Sequence, residues 1–392
     1  MKQTHNFGAV ILAAGLSSRM GALKPCLPLG SGTALERVAG ALKTAGVRDI
    51  VVVTGHEREK SAAEAERLGL CGAHNPDYEL GMFTSVQTGS RALSADIEAF
   101  FVLPVDCPLV GPDVISALMD GYEAADDVIY PTCCGLRGHP PLISIRLRAA
   151  LQLADPGGNL RAFLDRQAAR ERDLDVADMS ILLDMDTVDD YRRLAMFAAA
   201  IDRQKAGSAA PEPRLSDENV TYLITTLKVE DRVVRHCAAV AAVAEALAKA
   251  LNAQGARLDV RLVRSAALLH DMAKGNSRHA VEAETILGRL GFPDVGKIVG
   301  AHMALPPEET DGSNVSESQL VYLADKMVVE DRAGSIDTRT EYAMRTYGHD
   351  EPAVAAIKKR MRAARAIATE IEVTLGSSLE DVLSGLLFPT EP

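Results

Sequence analysis

Two sets of residues in this 392-residue chain have the types and spacing for phosphate chemistry. The first follows an apolar run. Val10-Ile11-Leu12-Ala13-Ala14-Gly15-Leu16-Ser17-Ser18-Arg19-Met20-Gly21-Ala22-Leu23-Lys24-Pro25 passes from hydrocarbon through small residues to two cations. Small side chains at Ala13, Ala14 and Gly15 let backbone amides approach phosphate oxygens, and Arg19 and Lys24 can neutralise the phosphate charge. The spacing is neither G-x-x-x-x-G-K-[ST] nor G-x-G-x-x-G, so this is a third kind of phosphate loop. Asp106 stands directly behind another apolar run, pinned between Pro104 and Pro108. A carboxylate there can hold Mg²⁺, which would bridge triphosphate oxygens while Arg19 and Lys24 stabilise a departing pyrophosphate. The second set is His236, the doublet His270-Asp271 and Asp325, far apart in sequence. Imidazoles and carboxylates together suit Mn, Fe, Co, Ni or Zn, and bundled helices can bring such side chains to one point.

These residues need scaffolds, and the chain is long enough for two or three domains. Between residues 8 and 200, short runs rich in Val, Ile and Phe (8–14, 49–54, 99–105, 128–132) alternate with segments of helical period (34–45, 57–68, 84–93, 113–124). That alternation predicts an α/β domain with a mainly parallel sheet, ligands lying at the carboxyl ends of its strands. Residues 203–216 lose apolar periodicity and gather Pro, Gly, Ser and charge, which suits a solvated linker. The domains expected are therefore 1–202 and 217–392. Beyond the linker, the segments 220–227, 233–251, 260–269, 281–290, 295–301, 320–328 and 354–375 follow a 3.6-residue period, predicting an all-α second domain.

The bulk numbers narrow the partners. A net charge of −12 argues against broad attraction to nucleic acid or anionic lipid, so an anionic substrate must meet local cations. No run of about 18 uninterrupted apolar residues predicts a membrane span. Residues 8–16 read as a strand and not as the core of a signal peptide, and the six cysteines lack C-x-x-C spacing; a cytoplasmic protein with reduced thiols is expected.

The first half resembles the molybdenum cofactor nucleotidyltransferases, within the wider Rossmann-like NTP transferases. Their pattern L-A-A-G-x-S-x-R-M-G-x-x-K-x-x-L-P-L-G is met by Leu12 through Gly30, with Pro25-Cys26 where two apolar residues are more usual. Asn75-Pro76 with Gly81-Met82 and Ser85 is similar to the segment lining the nucleotide and pterin pocket, and Gly138-His139-Pro140 to the G-H-P motif. Leu183 to Thr187 with Asp189-Asp190-Tyr191 is similar to the D-x-D-T-x-x-D ending. The resemblance implies that Leu12, Ala13, Ala14, Gly15, Asn75, Gly81, Ser85 and His139 contact the nucleotide or pterin, and that Arg19, Lys24 and Asp106 act in catalysis. Ala14, where the guanylyl branch has glycine, points to CTP over GTP. Asp184 or Asp186 would supply a second metal contact or cap the helix starting near Val188. The reaction implied is attack of the terminal phosphate of molybdopterin on the α-phosphate of CTP. The partners implied are molybdopterin carrying molybdenum and apo-enzymes of the xanthine dehydrogenase type.

The second half resembles the HD phosphohydrolase superfamily, whose signature H…HD…D is met by His236, His270-Asp271 and Asp325. His279 and His302 stand where two-metal members add ligands, and a one-metal site with both histidines on phosphate is the alternative. Lys274 would steady a phosphate. The whole reads as a bifunctional enzyme. The other readings are a GTP-dependent or sugar- or alcohol-phosphate nucleotidyltransferase, and a nucleotide-binding regulator of the HD domain.

Overall fold

The computed structural model describes residues 6–15, 20–208, 210, 212–275, 278–306 and 315–385. The chain divides into two compact units, Met1–Ser208 and Ala209–Pro392.

In the first unit β1 (Phe7–Ala13) is buried at every position, as a strand covered on both faces must be. A small hairpin of β2 (Pro28–Leu29) and β3 (Gly32–Thr33) leads into α1 (Ala34–Thr44). Then follow β4 (Asp49–Thr54), α2 (Arg58–Arg67), β5 (Cys71–His74), α3 (Met82–Ala92), β6 (Ala99–Pro104) and α4 (Pro112–Gly121). Next come β7 (Val128–Cys133), β8 (Leu136–Arg137), β9 (Leu142–Ser144), α5 (Arg148–Leu153), α6 (Leu160–Gln167), β10 (Glu171–Asp175) and α7 (Val188–Lys205). The large sheet runs β10-β7-β9-β6-β1-β4-β5, with β8 paired to β7. The β1, β4, β5 and β6 neighbours are parallel, as are β10 and β7, whereas β9 is antiparallel to both β6 and β7.

Register decides where chemistry can sit. Leu12 pairs with Val53 on one side and Pro104 on the other, so β1, β4 and β6 end at one edge. Helix α3 covers β1 at close range because of Gly89, where a Cβ would fall 2.2 Å from a Val10 methyl carbon. Gly81, just ahead of α3, holds φ 118, a backbone region that favours glycine.

The second unit is helical: α8 (Asp217–Thr226), α9 (Asp231–Ala253), α10 (Val260–Leu269), α11 (His279–Arg289), α12 (Pro293–Ala301) and α13 (Glu317–Asp325), then α14 (Ile336–Tyr347), α15 (Glu351–Leu375) and α16 (Leu379–Leu383). A short hairpin, β11 (Val328–Val329) with β12 (Arg332–Ala333), interrupts the helices after α13. Helix α9 buries His236, Val240, Ala244, Leu247 and Leu251 at spacings of three and four, the stripe of a helix facing a core. Of the segment expected as linker, Arg203 to Lys205 complete α7. Glu212, Arg214 and Leu215 are fixed to the helical unit: Leu215 is buried, Glu212 accepts from Asp294 N at 2.8 Å, and Arg214 pairs with Asp259 at 2.7 Å. No described helix is long and apolar enough to cross a membrane.

Candidate active sites

At the edge where β1 and β6 end, Val105 N donates to Leu12 O at 3.1 Å and carries the chain to Asp106. The Lys24 ammonium lies between two carboxylates, 3.3 Å from Asp106 Oδ2 and 3.0 Å from Asp186 Oδ1. Residues 24, 106 and 186 thus meet although at least 80 positions separate each from the next. Asp184 belongs to the same group. Burial first, then the charges of Asp186 and Asp106, raise its pKa above the usual carboxylate value. One ammonium among three carboxylates leaves an excess of hard, anionic oxygen, a donor set suited to Mg²⁺. Neither Asp184 nor Asp186 caps α7: Thr187 does, accepting from Asp190 N while the Asp190 carboxylate accepts from Thr187 N in return.

The expected nucleotide contacts fall into distinct surroundings. Leu12, Ala13 and Ala14 are buried and Gly15 is exposed; Ala14 O accepts from His56 N at 3.2 Å. Arg19 lies outside the described residues. His139 follows Gly138 and precedes Pro140 through a cis peptide, its N–H donating to Ile181 O at 2.8 Å. At Gly138 a Cβ would come 2.3 Å from that same oxygen, so glycine is what allows the approach. Burial lowers the pKa of the His139 ring, and the charge of Asp106 opposes that shift. Asn75 is held by a set of intrachain bonds. Its amide donates to Thr84 Oγ1 at 2.8 Å and Ser85 Oγ at 2.9 Å, and its Oδ1 accepts from Asp77 N at 3.0 Å. Asn75 and Ser85 are both buried, so their side chains fasten the loop around Gly81 to α3.

In the helical unit the HD-type residues converge. His236 from α9 points Nε2 at Asp325 Oδ1, 3.1 Å away at the end of α13. His270 Nε2 lies 3.6 Å from Asp271 Oδ2 and 3.7 Å from Asp325 Oδ1. Asp271 Oδ1 faces His279 Nε2 at 3.4 Å and His302 Nε2 at 3.7 Å. Lys274 also pairs with Asp271.

Backbone carbonyls fix which nitrogen of each ring faces inward. His236 Nδ1 donates to Glu330 O at 2.6 Å, His270 Nδ1 to Ala267 O at 2.8 Å and His302 Nδ1 to Val299 O at 2.6 Å. A carbonyl only accepts, so the proton sits on Nδ1 and the lone pair of a neutral ring is left on Nε2, toward the carboxylates. Burial lowers the pKa of His270 and takes His302 down to about 3, keeping both rings neutral. Burial opposes ionisation of Asp271 and Asp325 too. The bond with His279 and the Lys274 ammonium nevertheless hold Asp271 well below the carboxylate range, and the Lys326 ammonium does so for Asp325. Among the described residues, buried His270 Nε2 has no hydrogen-bond partner. An orphaned lone pair among ionised carboxylates fits a divalent cation. Two overlapping triads have ligand atoms within 4.8 Å of one another: His236, His270 and Asp325, and His270, Asp271 and His302.

Comparison with known proteins agrees with this geometry. Residues 9–171 match the MobA-like NTP transferase domain and residues 233–329 the HD domain, a fold that implies divalent metal binding. The chain is 32% identical to the molybdenum cofactor cytidylyltransferase of Escherichia coli (strain K12) over 185 residues, 46% of this chain and 92% of that protein. It is 32% identical to the molybdenum cofactor guanylyltransferase of Xanthomonas euvesicatoria pv. vesicatoria (strain 85-10) over 32% of this chain and 63% of that one. Among solved structures, Rv0371c from Mycobacterium tuberculosis H37Rv superposes with a TM-score of 0.45 and 25% identity, covering 49% of this chain and 97% of that chain. The chain belongs to the MobA-like NTP transferase family and carries an HD domain behind its transferase unit.

Proposed function

We propose that the domain at residues 1–202 transfers a cytidylyl group from CTP to molybdopterin carrying molybdenum, and that the domain at residues 217–392 is a metal-dependent phosphohydrolase. The first half is carried by the placement of Lys24 between Asp106 and Asp186, supported by the identity to the E. coli cytidylyltransferase along most of that protein's length. A terminal phosphate oxygen of the pterin forms a bond to the α-phosphorus of CTP. The bond from that phosphorus to the bridging oxygen breaks, and pyrophosphate leaves. Asp106, with Asp184 and Asp186, would hold Mg²⁺, which supplies charge compensation at the triphosphate. Lys24, with Arg19 on the loop before it, takes up the charge growing on pyrophosphate. Ala14 narrows the space near the base and favours cytosine.

In the HD domain His236, His270, Asp271 and Asp325 hold a divalent metal, with His279 and His302 completing a second position. A metal held there would lower the pKa of a water molecule enough to make hydroxide available near neutral pH. Lys274, paired to Asp271, is placed to steady the phosphate. The dinucleotide product goes to apo-enzymes of the xanthine dehydrogenase type, in the cytoplasm.

The test is pyrophosphate release from CTP and from GTP with molybdenum-loaded molybdopterin. Turnover with CTP alone is expected. Turnover with GTP alone would move the assignment to guanylyl transfer, and turnover on a sugar phosphate without pterin would replace it.

A further inference from the structure

The histidine and aspartate centre opens into a cleft of about 790 Å³. Part of its wall lies outside the segment that matches the HD domain: α14 and α15 contribute Arg339, Tyr342, Tyr347, Ile357, Arg360 and Met361. Cations are in excess on this side. Lys326 is buried, pairs with Asp325 at 2.7 Å and donates to His302 O at 2.6 Å, while Arg339 and Arg360 line the same cleft. Among the described residues, buried Arg339 Nε has no hydrogen-bond partner, and the guanidinium carbon lies 5.8 Å from the Tyr342 ring centre. Arg360 Nε donates to Ala356 O, a carbonyl of its own helix, at 3.3 Å. Ala343, Ile357 and Met361 form a buried apolar cluster at the base of these helices.

In a chain of net charge −12, six cations line this cleft against four carboxylates, and such a local excess marks a place where an anion is expected. Arginine recognises phosphate through paired N–H groups, and a half-buried aromatic ring beside it, as Tyr342 is, can stack a planar group. We propose that α14 and α15 build a second anion subsite, in which Arg339 and Arg360 hold a phosphate group other than the one presented to the histidine and aspartate centre, with a planar ring against Tyr342. The substrate class is a nucleotide carrying two phosphate groups, joined as a pyrophosphate or borne on separate hydroxyls. This subsite deepens the phosphohydrolase reading and rests on it.

The experiment uses the full chain and its Arg339→Gln, Arg360→Gln and Arg360→Lys variants, assayed with Mn²⁺ on p-nitrophenyl phosphate, CDP and adenosine 3′,5′-bisphosphate. Arg339→Gln and Arg360→Gln are expected to raise KM about tenfold for one of the two-phosphate substrates, with kcat and the p-nitrophenyl phosphate rate unchanged. Which of the two responds tells whether the phosphates are joined or apart. Arg360→Lys should recover part of the loss. Equal effects on all three substrates, or none, would overturn the subsite. A second measurement needs no turnover: methylenediphosphonate titrated calorimetrically into EDTA-treated protein should bind more tightly than inorganic phosphate and about tenfold more weakly to Arg339→Gln. Unchanged affinity in the variant counts against the subsite. Absence of hydrolysis of every substrate would remove the phosphohydrolase reading and leave the titration to decide the subsite.

Discussion

His279 Nε2 lies 3.3 Å from His302 Nε2, and both nitrogens face Asp271 Oδ1. The His302 proton is committed to Val299 O, so its Nε2 presents a lone pair toward His279. Two imidazole nitrogens and a carboxylate oxygen this close are a donor set that could hold a second metal ion, beside the set of His236, His270 and Asp325. His279→Ala is therefore expected to lower bound Mn²⁺ from two ions per chain toward one, by elemental analysis of reconstituted protein. His236→Ala should deplete the other ion. An unchanged metal content in His279→Ala would return both histidines to phosphate binding at a one-metal site.

Metal-free protein should lose stability in acid through His302 before any carboxylate acts. The folded pKa, about 3, lies below the ordinary value of 6.5, so the unfolded chain binds more protons between these limits and stability rises with pH across that window. It is lost as pH falls from 6.5 toward 3. Asp271 and Asp325, whose folded values are depressed, add their loss only below the ordinary carboxylate value of 3.8. Chemical denaturation of EDTA-treated protein at pH 7 and pH 5 should show a lower stability at pH 5. His270, whose pKa burial also lowers, adds to the same loss, so His302→Gln should reduce that difference without abolishing it, and an equal slope in the variant would show that His302 is not among the titrating groups.

The elements that carry these sites differ in how well the sequence shows them. Strands β1, β4, β6 and β7 sit inside the sheet and read as unbroken apolar runs. Strands β5 and β10 are its two edges; Cys71 to His74 and Glu171 to Asp175 are largely solvent-facing and carry no apolar run to detect. Helix α14 buries Ala343 alone among its twelve residues, too little to make a stripe. The histidines and aspartates of the HD centre are legible by type and order. The carbonyls that orient them are not, because any residue has one. Glu330 O reaches His236 from a residue in the left-handed region, φ 55, which no side-chain pattern announces. Lys24 and Asp106 were legible singly; that Asp186 closes the group, while Thr187 caps α7, depends on the chain's return to the sheet edge.

Lys24→Ala should reduce transferase turnover by about 10²- to 10³-fold, the size expected when a charge stabilising the leaving group is removed. Asp106 and Asp186 both lose their ammonium partner in this variant, so its Mg²⁺ requirement should shift to lower concentration. Pyrophosphate release measured against Mg²⁺ gives both quantities. HD-domain hydrolysis of p-nitrophenyl phosphate should be unaffected, which separates a site effect from misfolding. A Lys24→Ala enzyme with native turnover would show that the ammonium does not touch the reacting triphosphate.

Asn75→Ala separates a residue that shapes the pocket from one that touches its ligand. The buried amide joins Thr84, Ser85 and Asp77, and its loss leaves two hydroxyls and a backbone N–H short of a partner. The cost in folding free energy should be roughly 1–3 kcal/mol, the range for buried polar groups left unsatisfied. Because the same bonds tie the Gly81 loop to α3, the KM for nucleotide should rise while kcat changes little. Urea denaturation of the variant, alongside its kinetics, tests both effects. Native stability with a raised KM would instead mean that the amide turns outward to the ligand and contributes no more to the loop than alanine does.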